Sequence, residues 1–300
     1  MTIYPYIVKA SGVREPFDPM KLETSLRHAG ADEGTVASVV HTVSTELHEN
    51  IQTRDIYRRA FSLLRKKKVT KPIALKYSLR RAVAEMGPNG HPFEQLVGEI
   101  FRRKGYETRV ALMVKGWCVE HEIDVSAHKD GTHRLVECKF HNNHGIRSDL
   151  KTVLYVQARF EDIEKRQLQD DADTDRFHEA WLASNTKFTE NAIAYAECVG
   201  MHLLSWSYPK GQGLRDLMHE THVYPITVLP ALSTAQRQAL MIRGIATCSQ
   251  LIHNEPLARE VGVTQKKWAR VLNEMALLCE KERAEAERIV ASGDSNTYQS

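Results

Sequence analysis

The chain has 300 residues, 42% hydrophobic and 26% charged, with a formal net charge of +3; this allows two or three domains with cores of their own and supplies no global basic field for nucleic acid. Its five cysteines (Cys118, Cys138, Cys198, Cys248, Cys279) are scattered without a C-x-x-C pair, which argues against a zinc site and a disulfide framework. No run is long and apolar enough to span a membrane and the N-terminus lacks a signal-peptide pattern, so the expectation is a cytoplasmic protein with no membrane partner.

In chain order, Val8 to Asp18 reads as a strand, a turn at Gly12 and a second short strand. Asp18 is the expected N-cap of a helix over Met20 to Ala29, with Pro19 in its first turn. Further helices are expected near Gly34 to Asn50, over Thr53 to Lys67 with Thr53 as the cap, and from Lys71 to Met86. Gly87-Pro88-Asn89-Gly90 ends the last of these. Arg65-Lys66-Lys67-Lys68 is a solvated face or a phosphate-attracting run.

The spacing of Val8, Lys9, Gly12, Glu15, Pro16, Phe17, Asp18, Lys21, Ile51, Thr53, Ile56, Ala74, Tyr77 and Arg80 resembles that of the ATP-cone, a nucleotide-sensing domain of ribonucleotide reductases. The resemblance implies ATP or dATP as an effector. This purine nucleotide would be bound by Val8, Lys9, Arg14, Glu15, Lys21 and Thr53, with Lys9 and Lys21 facing phosphates. The family usually has Arg directly after the first lysine; here Ala10 stands there, and Arg14 is a candidate replacement. No Walker-type glycine loop is present, so hydrolysis is not implied. The alternative is a small helical domain whose lysines are simply solvated.

From Phe93 the pattern changes. Phe93, Leu96, Val97, Ile100 and Phe101 form one helical face, with Glu94 on its border. Two alternating segments follow, Glu122-Ile123-Asp124-Val125 and Leu135 to Phe140, separated by a turn with Asp130-Gly131. Strand alternation would turn Glu122 and Asp124 to one face and Ile123 and Val125 to the core, with Glu137 and Lys139 sharing a wet face. Carboxylate oxygens suit a hard divalent cation, and a neighbouring lysine can orient water, so phosphodiester hydrolysis is within reach of such a hairpin. The bland alternative is the solvated face of a strand.

Asp124 followed by Glu137-x-Lys139 resembles the core of the PD-(D/E)xK nuclease superfamily, and its flanks resemble the Mrr-like restriction endonuclease branch. Those flanks are Phe93 to Val97, Lys104-Gly105-Tyr106, Trp181 to Thr189, Ala192 to Ala196 and Gly200 to Leu204. The resemblance implies a Mg2+ (or Mn2+) site at Asp124 and Glu137 with the Cys138 carbonyl as a further ligand. It also implies Lys139 as the water-orienting base, Glu94 as an extra acid and Gln157 as a supporting group. The usual glycine-rich lead-in to the aspartate is replaced by Val119-Glu120-His121-Glu122. After Lys139, His141-Asn142-Asn143-His144 reads as surface loop, with metal or substrate contact as the alternative.

Leu229 to Met241, Thr247 to Ile252 and Gln265 to Arg288 read as helices separated by Gly244 and Gly262. Such glycine-centred helix pairs resemble helix-hairpin-helix modules, which bind the DNA backbone; a plain helical packing domain is the alternative. The expected fold is therefore multidomain α+β and α/β. An ATP-cone occupies 1–88, and a restriction-endonuclease-like α/β/α domain with a mixed sheet occupies 89–222. A helical domain follows at 223–290, then a flexible tail at 291–300. The expected activity is an ATP- or dATP-responsive, magnesium-dependent DNA endonuclease, possible as a homo-oligomer since each such fold cuts one strand. The alternative is a non-catalytic nucleotide-sensing DNA-binding regulator.

Overall fold

The computed structural model describes residues 4–9, 11–143, 145–169 and 176–278. They form two compact units. One runs to Arg81 and includes the residues from Gln265; the other is Ala82–Thr264. The helical domain expected at 223–290 is thereby divided between them.

In the first unit β1 (Tyr6–Val8) pairs antiparallel with β2 (Arg14–Pro16). Gly12, at φ +81°, makes the turn that a Cβ would strain. Asp18 accepts from the Met20 amide at 2.9 Å and starts α1 (Pro19–His28); Asp32 does the same for α2 (Glu33–Thr45). A two-residue strand that the sequence did not announce, β3 (Ile51–Gln52), pairs parallel with β1. Helix α3 (Thr53–Lys66) follows directly. Its cap position is Gln52, with no side-chain bond, so Thr53 is the first helical residue and not the cap. The helix expected over Lys71 to Met86 is two, α4 (Lys71–Tyr77) and α5 (Leu79–Ala84). They part at Ser78, whose hydroxyl donates to the Leu75 carbonyl at 2.7 Å and competes with the helical ladder. Ile7, Phe17, Leu26, Val39, Ile56 and Leu64 share the core of this unit.

The second unit opens with α6 (His91–Arg103) and continues through β4 (Glu107–Lys115), β5 (Glu120–Lys129), β6 (Thr132–Lys139) and β7 (Arg147–Ser148). Then come α7 (Leu150–Gln167), β8 (Glu179–Ser184), β9 (Lys187–Phe188), α8 (Glu190–Val199) and β10 (His202–Leu204). The main sheet has the order β10-β8-β6-β5-β4. It is mixed: β4, β5 and β6 are antiparallel, while β8 and β10 run parallel to β6. Asp130 (φ 52°) and Gly131 (φ 74°) make the two-residue turn with both residues left-handed that suits strand twist. Helix α6 covers one face. Its Gly98 admits the close approach, since a Cβ there would come within 3.0 Å of Val110. Helices α7 and α8 cover the other face, packing Val153, Val156 and Ala192 against Ile123, Leu135 and Leu182.

Contrary to simple alternation, Ile123 and Val125 do not share a face. Val125 lies beside Gly98 of α6, whereas Ile123 joins the cluster under α7. The cause sits across the ladder at Ala111, which has φ 57° and drops out of the pairing between Val110↔Val125 and Leu112↔Ile123. A left-handed residue turns the strand over, so Val110 faces α6 while Leu112 and Val114 pack on the α7 side.

Helices α9 (Leu214–Thr221), α10 (Thr234–Ile242), α11 (Cys248–Ile252) and α12 (Glu255–Glu260) complete the second unit. Ser233 and Thr247 cap α10 and α11 through reciprocal bonds with Gln236 and Gln250. The cap moves the start of α10 from the expected Leu229 to Thr234. Helix α13 (Gln265–Leu278) belongs to the first unit. Its expected extension to Arg288 and the tail lie outside the described residues. Among those described, no helix is long and apolar enough to cross a membrane.

Candidate active site

Strands β5 and β6 pair from Lys129↔Thr132 to Val125↔Val136 and no further. Asp124 and Glu137 are the first residues past the last pair, so both stand where the two strands diverge. The Cys138 amide donates to Asp124 Oδ2 at 2.6 Å, which fixes the aspartate across the fork. Glu137 is buried rather than on a wet face. Its Oε2 accepts from Arg159 Nη1 of α7 at 2.7 Å, and Arg159 also donates to the Glu122 carbonyl. Lys139, two residues on, is exposed and has no acidic partner among the described residues.

The electrostatics follow from burial. Desolvation pushes Glu137 well above the usual carboxylate range, and the nearby Asp124 charge adds to the shift while the Arg159 guanidinium opposes it. Asp124 is raised by desolvation too; the Cys138 amide works against this and the Glu94 and Glu122 charges work with it. The Glu94 charge, on α6 and 3.1 Å from His91 Nδ1, acts on both carboxylates. Several acids crowd into one poorly solvated place, which a cation would relieve.

One atom bears on whether a cation fits. Glu137 Oε1 is buried and has no hydrogen-bond partner among the described residues. Such an orphan acceptor beside a second carboxylate suits an oxygen-seeking divalent ion, which takes one or two carboxylates and keeps several waters. No group of three His, Cys, Asp or Glu side chains is assembled for a metal among the described residues; the donor set is two carboxylates with the neighbouring Cys138 backbone. Beside it lies a cavity of about 350 Å³ lined by Glu137, Lys139, Lys151, Thr152, Tyr155 and Leu182.

Other expected site residues fall elsewhere. Gln157 donates to Glu161 at 2.9 Å along α7 and is not among the residues lining the cavity. His141 is half-buried, with Nε2 3.1 Å from Ser148 Oγ and its amide donating to Asn185 at 2.8 Å. Burial, with Lys139 nearby, lowers its pKa. His144 lies outside the described residues. In the first unit, Lys9 and Lys21 converge on Glu15, at 2.5 and 3.0 Å. The two ammonium groups hold the Glu15 carboxyl below its usual range. Arg14 sits 3.6 Å from Glu49 and over the Tyr6 ring. Val8 pairs with Arg14 and Gln52, next to Thr53; Ala10 lies outside the described residues.

Comparison with known proteins agrees with this architecture. Residues 85–207 match the family described as "Restriction endonuclease", of the Mrr catalytic type, and residues 224–279 match "AF1548-like, C-terminal". An uncharacterized protein of Archaeoglobus fulgidus is 37% identical over 179 residues, which is 59% of this chain and 97% of that protein. The chain belongs to the AF1548-like family. The crystal structure of AF1548, a protein of unknown function, superposes with a TM-score of 0.53 at 34% identity, covering 63% of this chain and 98% of that one. This AF1548-like chain thus carries a restriction-endonuclease-type domain and an AF1548-like C-terminal region, with a mixed sheet at the centre.

Arg159, Lys151 and Tyr155 are the residues at the site that sequence reasoning passed over. A weak signal for Arg159 exists: it lies three positions beyond Val156 and beside Phe160, so a cation borders the buried stripe of α7.

Proposed function

We propose that this protein is a magnesium- or manganese-dependent endonuclease that hydrolyses DNA phosphodiester bonds and responds to ATP or dATP. The observation that carries the reading is the unpartnered, buried Glu137 Oε1 beside Asp124 at the strand fork, with Lys139 two residues on. Asp124 and Glu137, with the Cys138 carbonyl, would hold the ion, which when bound neutralises charge on the phosphate and makes water a better nucleophile. Asp124 is held in place by the Cys138 amide. Lys139 orients the attacking water or takes its proton, and Glu94 supplies further negative charge from α6. The cavity flanked by Lys139 and Lys151 suits an anionic backbone. Helices α10 and α11 are the candidate contact to duplex DNA.

The nucleotide response is inferred for the first unit. There Glu15 stands between Lys9 and Lys21 as a phosphate group would. Incubation of the full chain with plasmid DNA and Mg2+ or Mn2+, with and without ATP or dATP, tests the whole reading. Nicked or linear product that depends on the metal and changes with nucleotide is expected. Intact plasmid under every condition overturns it. The second reading, a non-catalytic nucleotide-sensing DNA-binding regulator, is favoured by Arg159, a fixed cation already paired with Glu137. DNA retention without cutting would support it.

A further inference from the structure

Arg159 is among the most buried cations at the site, its side chain 12% exposed against 9% for its partner Glu137. A guanidinium is always charged and costs much to remove from water, so a buried one is kept only in a fixed geometry. Here that geometry spans the fork. From α7, one Nη donates to Glu137 on β6 and the other to the Glu122 carbonyl on β5. The Nε stays buried without an acceptor, so the group is not optimised for its own hydrogen bonds. The guanidinium carbon also lies 5.4 Å from the centre of the Tyr155 ring, a cation–π contact.

We infer that Arg159 is a positioning residue: by engaging only Oε2 and bracing both strands where their ladder ends, it presents Glu137 Oε1 to the metal ion. The inference rests on the metal-dependent reading above. It explains why one oxygen of the same carboxylate is paired and the other orphaned. Lysine cannot replace this function in full, because one ammonium lacks the planar fork that reaches two acceptors on different strands.

Calorimetry with Mn2+ on the full chain, without DNA, provides the test. Arg159→Gln should weaken Mn2+ binding about 10–100-fold, the range typical when the outer partner of a metal ligand is lost. Arg159→Lys restores the charge and one bond, and should recover part of that loss. Thermal melting of each variant reports folding. If Arg159→Gln does not fold, Arg159→Lys carries the test, and wild-type affinity in it overturns the inference. Unchanged affinity in both variants overturns it as well. Tighter binding in Arg159→Gln would mean that the arginine competes with the ion, the reverse of positioning. Absence of Mn2+ binding by the wild type removes the metal reading itself, and the inference with it.

Discussion

At the β5–β6 fork, Glu137 and Arg159 meet out of water; at the N-terminal hairpin, Lys9, Glu15 and Lys21 meet in it. Each pairs a glutamate with cations, and the consequences are opposite. Burial raises the fork carboxylates and fixes Glu137 Oε2 on Arg159, leaving its Oε1 without a partner among the described residues. The hairpin cluster is screened by solvent, and its ion pairs exchange cheaply for another anion. Depth therefore separates the two clusters: the same kind of ion pair is fixed at the fork and exchangeable at the hairpin.

The sharpest break in this comparison comes from removing the fork groups. Asp124→Ala, Glu137→Gln and Lys139→Ala should each lower kcat by roughly 10²–10³-fold or more, read as plasmid nicking over time; wild-type cutting by all three ends the nuclease reading. Glu137→Ala should also unfold more readily. It strands the Arg159 guanidinium, and removing one member of a buried pair costs about 3–5 kcal/mol. Denaturant titration measures this, and Arg159→Leu in the same chain should return part of the loss.

A third effect is in pH. Asp124 and Glu137 have raised folded pKa values, so the folded chain holds protons that the unfolded chain has released. Their contribution to stability is then greatest at low pH. It declines as pH rises through the ordinary carboxylate range, and levels off above the raised values. A divalent ion competes with those protons. Melting at about pH 5 and about pH 8 should thus show Mn2+ stabilising the protein more at the higher value; equal shifts would contradict a site at this pair.

At the hairpin the changes are smaller. Lys9→Ala and Lys21→Ala should weaken ATP or dATP binding by about ten-fold or less, as for exposed ionic contacts, whereas Glu15→Gln frees both ammonium groups and should tighten it. Calorimetry on the full chain distinguishes these signs. The least effect is expected at Gln157→Ala, within about 0.5 kcal/mol in stability, because its side chain bonds only along the helix surface to Glu161.

The candidate set Asp124, Glu137 and Lys139 could be picked out because its residue types and spacing on a hairpin are a local pattern. Arg159 was not, since its meaning depends on how α7 lies over the fork, which no local pattern encodes. The burial of Glu137 escaped for the same reason: strand alternation marks a face as shared, not as wet. The inversion at Ala111 left no glycine to announce it, and alternation of half-buried and exposed residues continues across it unchanged. Strand β3 is two residues long, too short for any period to show. The split of α4 from α5 depends on one hydroxyl turning back on its helix.

Ala111 has one more effect, on association. β4 is an outer strand of the main sheet, and a long flat border invites pairing with another chain. The left-handed residue divides that border into 107–110 and 112–115, which present opposite faces. An incoming strand would find no continuous row of donors and acceptors to copy. The kink that sets Val110 and Leu112 against different helices thus doubles as a guard against aggregation through the open side of the sheet.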